Sequence, residues 1–231
     1  MTLRQKIEQE IREHGPIPFS RYTAMCLYDP ELGYYSRNAQ QFGKGGDFYT
    51  SSYIHAVYGR LLARQFEEMW RALESPHRLN IVEFGPGRWL FAQDVLDWSA
   101  KKFPGFADAQ HYVLIESSPA LRASLEQRFA VQISHGKVEV CRELGAGFDN
   151  AIFFANEWFD AFPVEIISST GQLHVDATAG KFIETFLPPA PELLEYLDRY
   201  SVHPEPGERV DVPLEAFHAM NPFSASLKSA S

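Results

Sequence analysis

The hydrophobic and polar positions of this chain fall into zones with different periods. Residues 1–76 are spaced for helices. Leu3, Ile7 and Ile11 share one face of a first helix, and Thr2 with Gln5 makes a capping box at its start. A second helix is expected over 52–73, where Ile54, Val57, Tyr58, Leu61, Leu62, Gln65, Phe66 and Met69 form a broad apolar stripe. Between the two lies a loop region rich in glycine and aromatic residues. From 79 to 160 short apolar runs alternate with helical stretches. Strands are expected over 81–84, 112–116, 138–141 and 151–155, with helices over 90–102 and 119–129. That alternation predicts a parallel sheet with right-handed crossovers, in which 138–141 is a short edge strand. Residues 161–212 read as an excursion from it. They contain a hairpin turning at Thr170-Gly171, a Pro188-Pro189 break and a helix over 191–200, and a last helix begins near Pro213. Residues 221–231 are a polar, serine-rich tail.

The expected organisation is therefore an α/β chain in three parts. Residues 1–76 form an N-terminal helical and Gly/aromatic-rich cap. Residues 77–220 form a Rossmann-like domain with the 161–212 insertion, and 221–231 form the tail. Only about four parallel strands can be found, so the C-terminal strands of a doubly wound sheet are missing on this reading. One sheet edge is then left open.

The chemistry gathers at 81–88, Ile-Val-Glu-Phe-Gly-Pro-Gly-Arg, where an apolar strand enters a glycine turn that opens a helix. Gly85 and Gly87 lack a Cβ, so the backbone can turn sharply and approach a ligand closely. The helix that follows offers unpaired N–H groups and the positive end of its dipole. A second strand ends at Glu116, 31 positions after Gly85, where a carboxylate can accept hydrogen bonds from both hydroxyls of a ribose. The dinucleotide fingerprint fails because its third glycine falls on Leu90. This weighs against an NAD-dependent oxidoreductase. The pattern for S-adenosylmethionine fits better. Glu83 is its leading acid, Gly85 and Gly87 are two of its glycines, and Trp89 stands where the third belongs. Glu83, Gly85, Pro86, Gly87 and Glu116 are thus the candidate cofactor-binding residues.

Bulk properties narrow the classes. With 231 residues, 45% hydrophobic and 14% aromatic, the chain can bury a substantial core and does not have a disordered composition. No apolar run approaches the length of a membrane span, and the N-terminus mixes acids and bases, unlike a signal or transit peptide. Two cysteines, Cys26 and Cys141, point to a reducing, cytoplasmic setting and offer no metal framework. A net charge of -9 argues against nonspecific nucleic-acid binding. No metal is expected. No serine lies in a Gly-x-Ser-x-Gly elbow, so hydrolase chemistry has no support.

Two further segments are candidates. In the loop from Tyr28 to Ser51, Asp47 and Thr50 could hydrogen-bond a cofactor, although a surface loop with aromatic anchors accounts for the composition equally well. The segment Phe154-Ala-Asn-Glu-Trp-Phe-Asp-Ala-Phe-Pro-Val164 follows a strand. Ligands bind beyond the carboxyl ends of such strands, so Asn156, Glu157 and Asp160 are the candidate catalytic residues, with the carboxylate pairing a guanidinium. A helix start, capped by Asn156 and favoured by its acids, fits the same residues.

Together these segments resemble the MidA-like methyltransferases, the mitochondrial complex I assembly-factor methyltransferases and their bacterial relatives. The resemblance rests on Gly15-Pro-Ile-Pro-Phe-Ser-Arg-Tyr22, Tyr28-Asp-Pro through Gly33-Tyr-Tyr35, Gly46-Asp-Phe-Tyr-Thr-Ser51, Val82-Glu-Phe-Gly-Pro-Gly-Arg88 and Asn156-Glu-Trp-Phe-Asp-Ala-Phe-Pro-Val164, in that order. It implies a class I methyltransferase fold, S-adenosyl-L-methionine as cofactor and a protein arginine as acceptor. It also implies a respiratory NADH dehydrogenase subunit as substrate, with a homodimer allowed and a mitochondrial matrix setting by family analogy alone. Three departures stand out: Trp89 for a glycine, Thr50-Ser-Ser-Tyr53 for Thr-Ser-Pro-Glu, and a C-terminal part of the family that is not present. They support the alternative of an assembly protein that keeps the fold without turnover.

Overall fold

The computed structural model describes residues 1–36, 56–145 and 147–220. In chain order the first elements are α1 (Leu3–His14), β1 (Ile17–Pro18), α2 (Phe19–Tyr28), α3 (Val57–Ala72), β2 (Leu79–Phe84), α4 (Leu90–Lys102), α5 (Pro104–Ala109) and β3 (Gln110–Ile115). There follow α6 (Pro119–Arg128), α7 (Ala130–Ser134), β4 (Val138–Cys141), β5 (Ala151–Ala155), β6 (Glu165–Ser168), β7 (Gly171–Thr178), β8 (Lys181–Leu187), α8 (Pro191–Tyr200), β9 (Arg209–Val212) and α9 (Leu214–Ala219). The contacts divide the chain into two compact units. One joins Met1–Arg37 to Phe159–Asn221, and the other lies within Asn38–Trp158. This differs from the expected division at residue 76. The N-terminal segment groups with the chain after Trp158, and α3 groups with the parallel sheet.

The unit within Asn38–Trp158 holds a four-stranded parallel sheet in the order β4-β3-β2-β5. All six residues of β2 and all six of β3 are buried, as expected of parallel strands covered on both faces. Side chains alternate between those faces. Leu79, Ile81, Tyr112 and Leu114 pack with Ala63 and Phe66 of α3 and with Phe91, Ala92 and Val95 of α4. Val82, Phe84, Val113 and Ile115 form a second cluster with Phe153, Phe148 and Trp158 at its margin. Each fully buried large side chain contributes roughly 1.5–3 kcal/mol through removal from water. Gly59 of α3 lets the two helices meet closely, since a Cβ there would stand 2.6 Å from the Asp94 Cβ of α4.

The other unit is built on an antiparallel sheet. β7 pairs with β8 along one side and with β6 and β1 along the other, and β6 pairs with β9. The capping box of α1 is present: Gln5 N donates to Thr2 Oγ1 at 3.2 Å, and Thr2 N donates to Gln5 Oε1 at 2.8 Å. Ile7 and Ile11 then pack with Ile17, Met25 and Val175. The hairpin at Thr170-Gly171 forms as expected, whereas β1, β8 and β9 were not anticipated. The β7–β8 turn has φ of 51° at Ala179 and 72° at Gly180, the type I′ geometry of a two-residue hairpin. Alanine is a poor marker for that turn.

The start of the Tyr28 loop has a structural explanation. The Asp29 carboxylate accepts from Glu31 N at 3.1 Å, Leu32 N at 2.8 Å and Lys6 Nζ at 2.9 Å. A Cβ on Gly33 would fall 2.4 Å from Asp29 N, so that turn requires glycine. Among the described residues no helix is long and apolar enough to cross a membrane.

Candidate functional site

The candidate site is built at the carboxyl ends of β2, β3 and β5. β2 ends at Phe84, and the chain then passes through three left-handed positions at alternate residues: Gly85 (φ 62°), Gly87 (φ 55°) and Trp89 (φ 64°). The conformation shows why the S-adenosylmethionine pattern places a glycine at all three. Trp89 pays a strain of roughly 1–3 kcal/mol that a glycine would not, and its ring packs against the main core cluster. A Cβ on Gly85 would stand 2.7 Å from Cδ1 of Trp158, whose indole sits across the turn. Pro86 is buried and Gly85 is exposed. α4 then begins at Leu90 without any side-chain cap, so its first N–H groups are not taken up by a capping side chain.

Two buried acids flank this turn. Glu83, one residue before Phe84, points to the face under α3 and α4 and is only 5% exposed. Its Oε2 accepts from the Tyr112 hydroxyl at 2.8 Å. Burial pushes its carboxyl up to about 8, and the Tyr112 hydrogen bond opposes that shift. Glu116 follows directly after β3 and is 7% exposed. Burial raises its pKa as well, opposed by the N–H of Ser118, the Arg122 charge and the N–H groups of Gly87 and Ser117. Ser118 N donates to Glu116 Oε1 at 2.9 Å. A carboxylate offers about four acceptor positions, so these donors leave room for a ligand hydroxyl. The glycine turn of the first strand is tied to the end of the second by Gly85 N, which donates to Ile115 O at 2.9 Å.

At the end of β5, Asn156 Oδ1 accepts from the Tyr58 hydroxyl of α3 at 2.9 Å. Burial raises the Tyr58 pKa, and the nearby charges of Glu157 and Glu83 add to the rise. One hydroxyl therefore lies beside three candidate residues. Glu157 is exposed and holds a left-handed φ of 48°, an uncommon conformation for a residue with a side chain. No α-helix starts at Asn156, so the helix-capping alternative for this segment has no helix to cap.

The unit thus brings together Glu83, Gly85, Pro86, Gly87, Glu116, Asn156 and Glu157. Asp160 falls in the other unit, in a 3-10 turn over Phe159–Ala161, where its charge contributes to raising the pKa of Tyr35. Asp47 and Thr50 lie outside the described residues. Among the described residues no group of three His, Cys, Asp or Glu side chains could hold a metal ion. Sequence reasoning missed Tyr58 and Tyr112, both of which had been read as apolar positions. A signal did exist for Tyr112, since a tyrosine inside a fully buried strand needs an acceptor for its hydroxyl.

Comparison with known proteins gives the family. Residues 61–230 match the family described as "Putative S-adenosyl-L-methionine-dependent methyltransferase". A mitochondrial protein arginine methyltransferase, the NDUFAF7 homolog of Drosophila melanogaster, is 31% identical over 184 residues, which is 71% of this chain and 41% of the fly protein. The Xenopus tropicalis NDUFAF7 protein arginine methyltransferase is 28% identical over 187 residues, 70% of this chain and 42% of that one. A crystal structure from Burkholderia thailandensis, described as a "likely methyl transferase" bound to S-adenosyl-homocysteine, superposes with a TM-score of 0.77 at 26% identity. It covers 96% of this chain and 58% of the other. The chain therefore spans about two-fifths of the length of the curated relatives it matches. By the match over most of its length, the chain belongs to this family of S-adenosyl-L-methionine-dependent methyltransferases.

Proposed function

We propose that the parallel-sheet unit binds S-adenosyl-L-methionine and directs its methyl group to a protein arginine. The observation that carries this reading is the placement of the buried Glu116 carboxylate beside the glycine turn, where Gly85 N donates to Ile115 O at 2.9 Å and so joins the ends of adjacent parallel strands into one cradle. A ribose accepted by Glu116 would leave the rest of the ligand over the glycine turn, within reach of the buried Glu83 carboxyl and the uncapped start of α4. The solved relative bound to S-adenosyl-homocysteine supports the same choice of ligand.

When bound, the cofactor supplies an electrophilic methyl on a sulfonium, so the chain's own residues have mainly to position the acceptor and exclude water. Glu157, exposed beside the turn, pairs with the guanidinium and takes up its proton. Asn156, held by Tyr58, orients it through its amide. Asp160 is proposed as a further acidic contact for the substrate. The arginine acceptor is supported by the names of the curated relatives. A subunit of a respiratory NADH dehydrogenase, methylated in a reducing aqueous compartment, is supported by the sequence resemblance alone.

Calorimetry of the full chain with S-adenosyl-L-methionine tests the cofactor claim, and folded protein that takes up no ligand overturns it. Incubation with methyl-labelled cofactor and a cell extract, followed by mass spectrometry for methylarginine, tests the acceptor. Cofactor binding without label transfer would favour the assembly-protein alternative, to which the strained Trp89 lends support.

A further inference from the structure

Glu83 and Tyr112 form a pair with an unusual setting. Glu83 ends an inward-facing row on β2 that otherwise consists of Leu79 and Ile81. Tyr112 lies on β3 opposite Ile81, two residues below the level of Glu83, and is fully buried. Its hydroxyl reaches along the sheet to Glu83 Oε2 at 2.8 Å. Among the described residues this hydrogen bond engages one of the two oxygens of that carboxyl. The titratable groups that reach Glu83 are Tyr112 from β3 and Tyr58 from α3, with Glu157 beyond Tyr58. β5 contributes Phe154 and α4 contributes Phe91, neither of which titrates. Among the described residues, no lysine or arginine is one of the groups that shift Glu83. Among the described residues, no cation compensates a carboxyl so placed.

We propose that Tyr112 is a positioning residue that fixes Glu83 at the glycine turn, and that capture of a ligand ammonium there takes one proton off Glu83. This rests on the reading of the site as an S-adenosylmethionine cradle. In the free protein the carboxyl keeps its proton at neutral pH because burial disfavours its charge. The ammonium of the ligand's methionine end supplies a cation. The carboxyl O–H bond then breaks, its proton goes to the buffer, and the carboxylate that remains pairs with the ammonium. The Tyr112 hydroxyl stabilises that carboxylate by donating to Oε2, which orients the other oxygen toward the turn. Ligand capture should therefore strengthen as pH rises toward about 8.

The test uses the full chain and S-adenosylhomocysteine, which carries the ammonium but no reactive methyl. Titration calorimetry at pH 6, 7 and 8, each in two buffers of different ionisation enthalpy, reads both affinity and protons released. The wild type should release close to one proton per ligand at pH 6–7 and bind more tightly at pH 8. Tyr112→Phe should weaken binding at pH 7 by about tenfold, the equivalent of one hydrogen bond to a charged group, and move the rise to higher pH. Glu83→Gln should bind weakly with no linked proton. The same affinity and pH profile in Tyr112→Phe as in the wild type overturns the positioning role. Proton release that persists in Glu83→Gln overturns the linkage. Should Tyr112→Phe fail to fold, the proton count in Glu83→Gln still decides the linkage. A folded wild type that does not bind at any pH refutes the cofactor reading itself, a result distinct from the other two.

Discussion

The two units solve the same problem with different means. In the parallel unit β2 and β3 are buried along their whole length, and continuous apolar runs specify them. In the antiparallel unit β8 shows no fully buried residue and β9 buries only Val212, so much of its sheet faces outward. The first unit is a local product of chain order, because β2, α4, β3, α6 and β4 follow one another. The second joins segments more than a hundred residues apart, as in the pairing of Ile17 with Val175. The burial of polar groups separates them again. Asn80, Glu83, Ser99, Gln110, His111 and Glu116 are buried in the parallel unit, against Gln172 and His174 in the other. Of these, only Glu83 and Glu116 lie at the carboxyl ends of their strands, where the candidate site is built; Asn80, Gln110 and His111 lie at the opposite ends.

Substitutions should separate the two units in a graded series. The largest effect is expected at Ile81, which is wholly buried between the sheet and its helices. Ile81→Ala should cost about 2–5 kcal/mol in urea unfolding by leaving a cavity. Next comes Gly85→Ala, which meets Trp158 and places a side chain at φ 62°. It should cost about 1–3 kcal/mol, and cofactor affinity should fall with it.

Glu83→Gln should act through pH. The folded carboxyl keeps its proton up to about 8, whereas the unfolded one releases it near 4.5. Between those values the folded state holds the extra proton, so stability falls as pH rises, by at most about 1.4 kcal/mol per pH unit. The Gln variant removes that slope. It should therefore melt higher than the wild type at pH 8 and close to it at pH 5. Thr2→Ala, which removes the cap of α1 in the antiparallel unit, should cost about 0.5–1 kcal/mol. Arg209→Ala breaks an exposed pair with Glu184 on that unit's surface and should leave the unfolding midpoint where it is. If Thr2→Ala instead proved as damaging as Ile81→Ala, the contrast between the units would fail.

The legibility of the chain follows the same contrast. α4 over Leu90–Lys102 and α8 over Pro191–Tyr200 match their expected bounds, because the glycine turn precedes the first and Pro191 stands at the first position of the second. β8 was missed because Lys181-Phe-Ile-Glu-Thr-Phe-Leu187 mixes exposed and half-buried positions and follows an Ala-Gly turn. At the candidate site, the grouping of Glu83, Gly85, Gly87 and Glu116 was readable because one strand–turn–helix–strand stretch carries them all. Tyr58 was not, since its hydroxyl meets Asn156 from a helix 98 positions away in sequence.

The sequence by itself determined the parallel strands, the glycine turn and the two acids beside it, because those features depend on neighbours along the chain and on the burial of continuous apolar runs. It also marked Trp89 as a departure without showing what the departure meant. Only the tertiary structure decided that Trp89 occupies a left-handed position, that Glu83 shares a hydrogen bond with Tyr112, and that β1 near the start of the chain pairs with β7 after Trp158. Those outcomes depend on contacts between distant segments and on the loss of water around buried charge. Spacing along a single chain does not encode either.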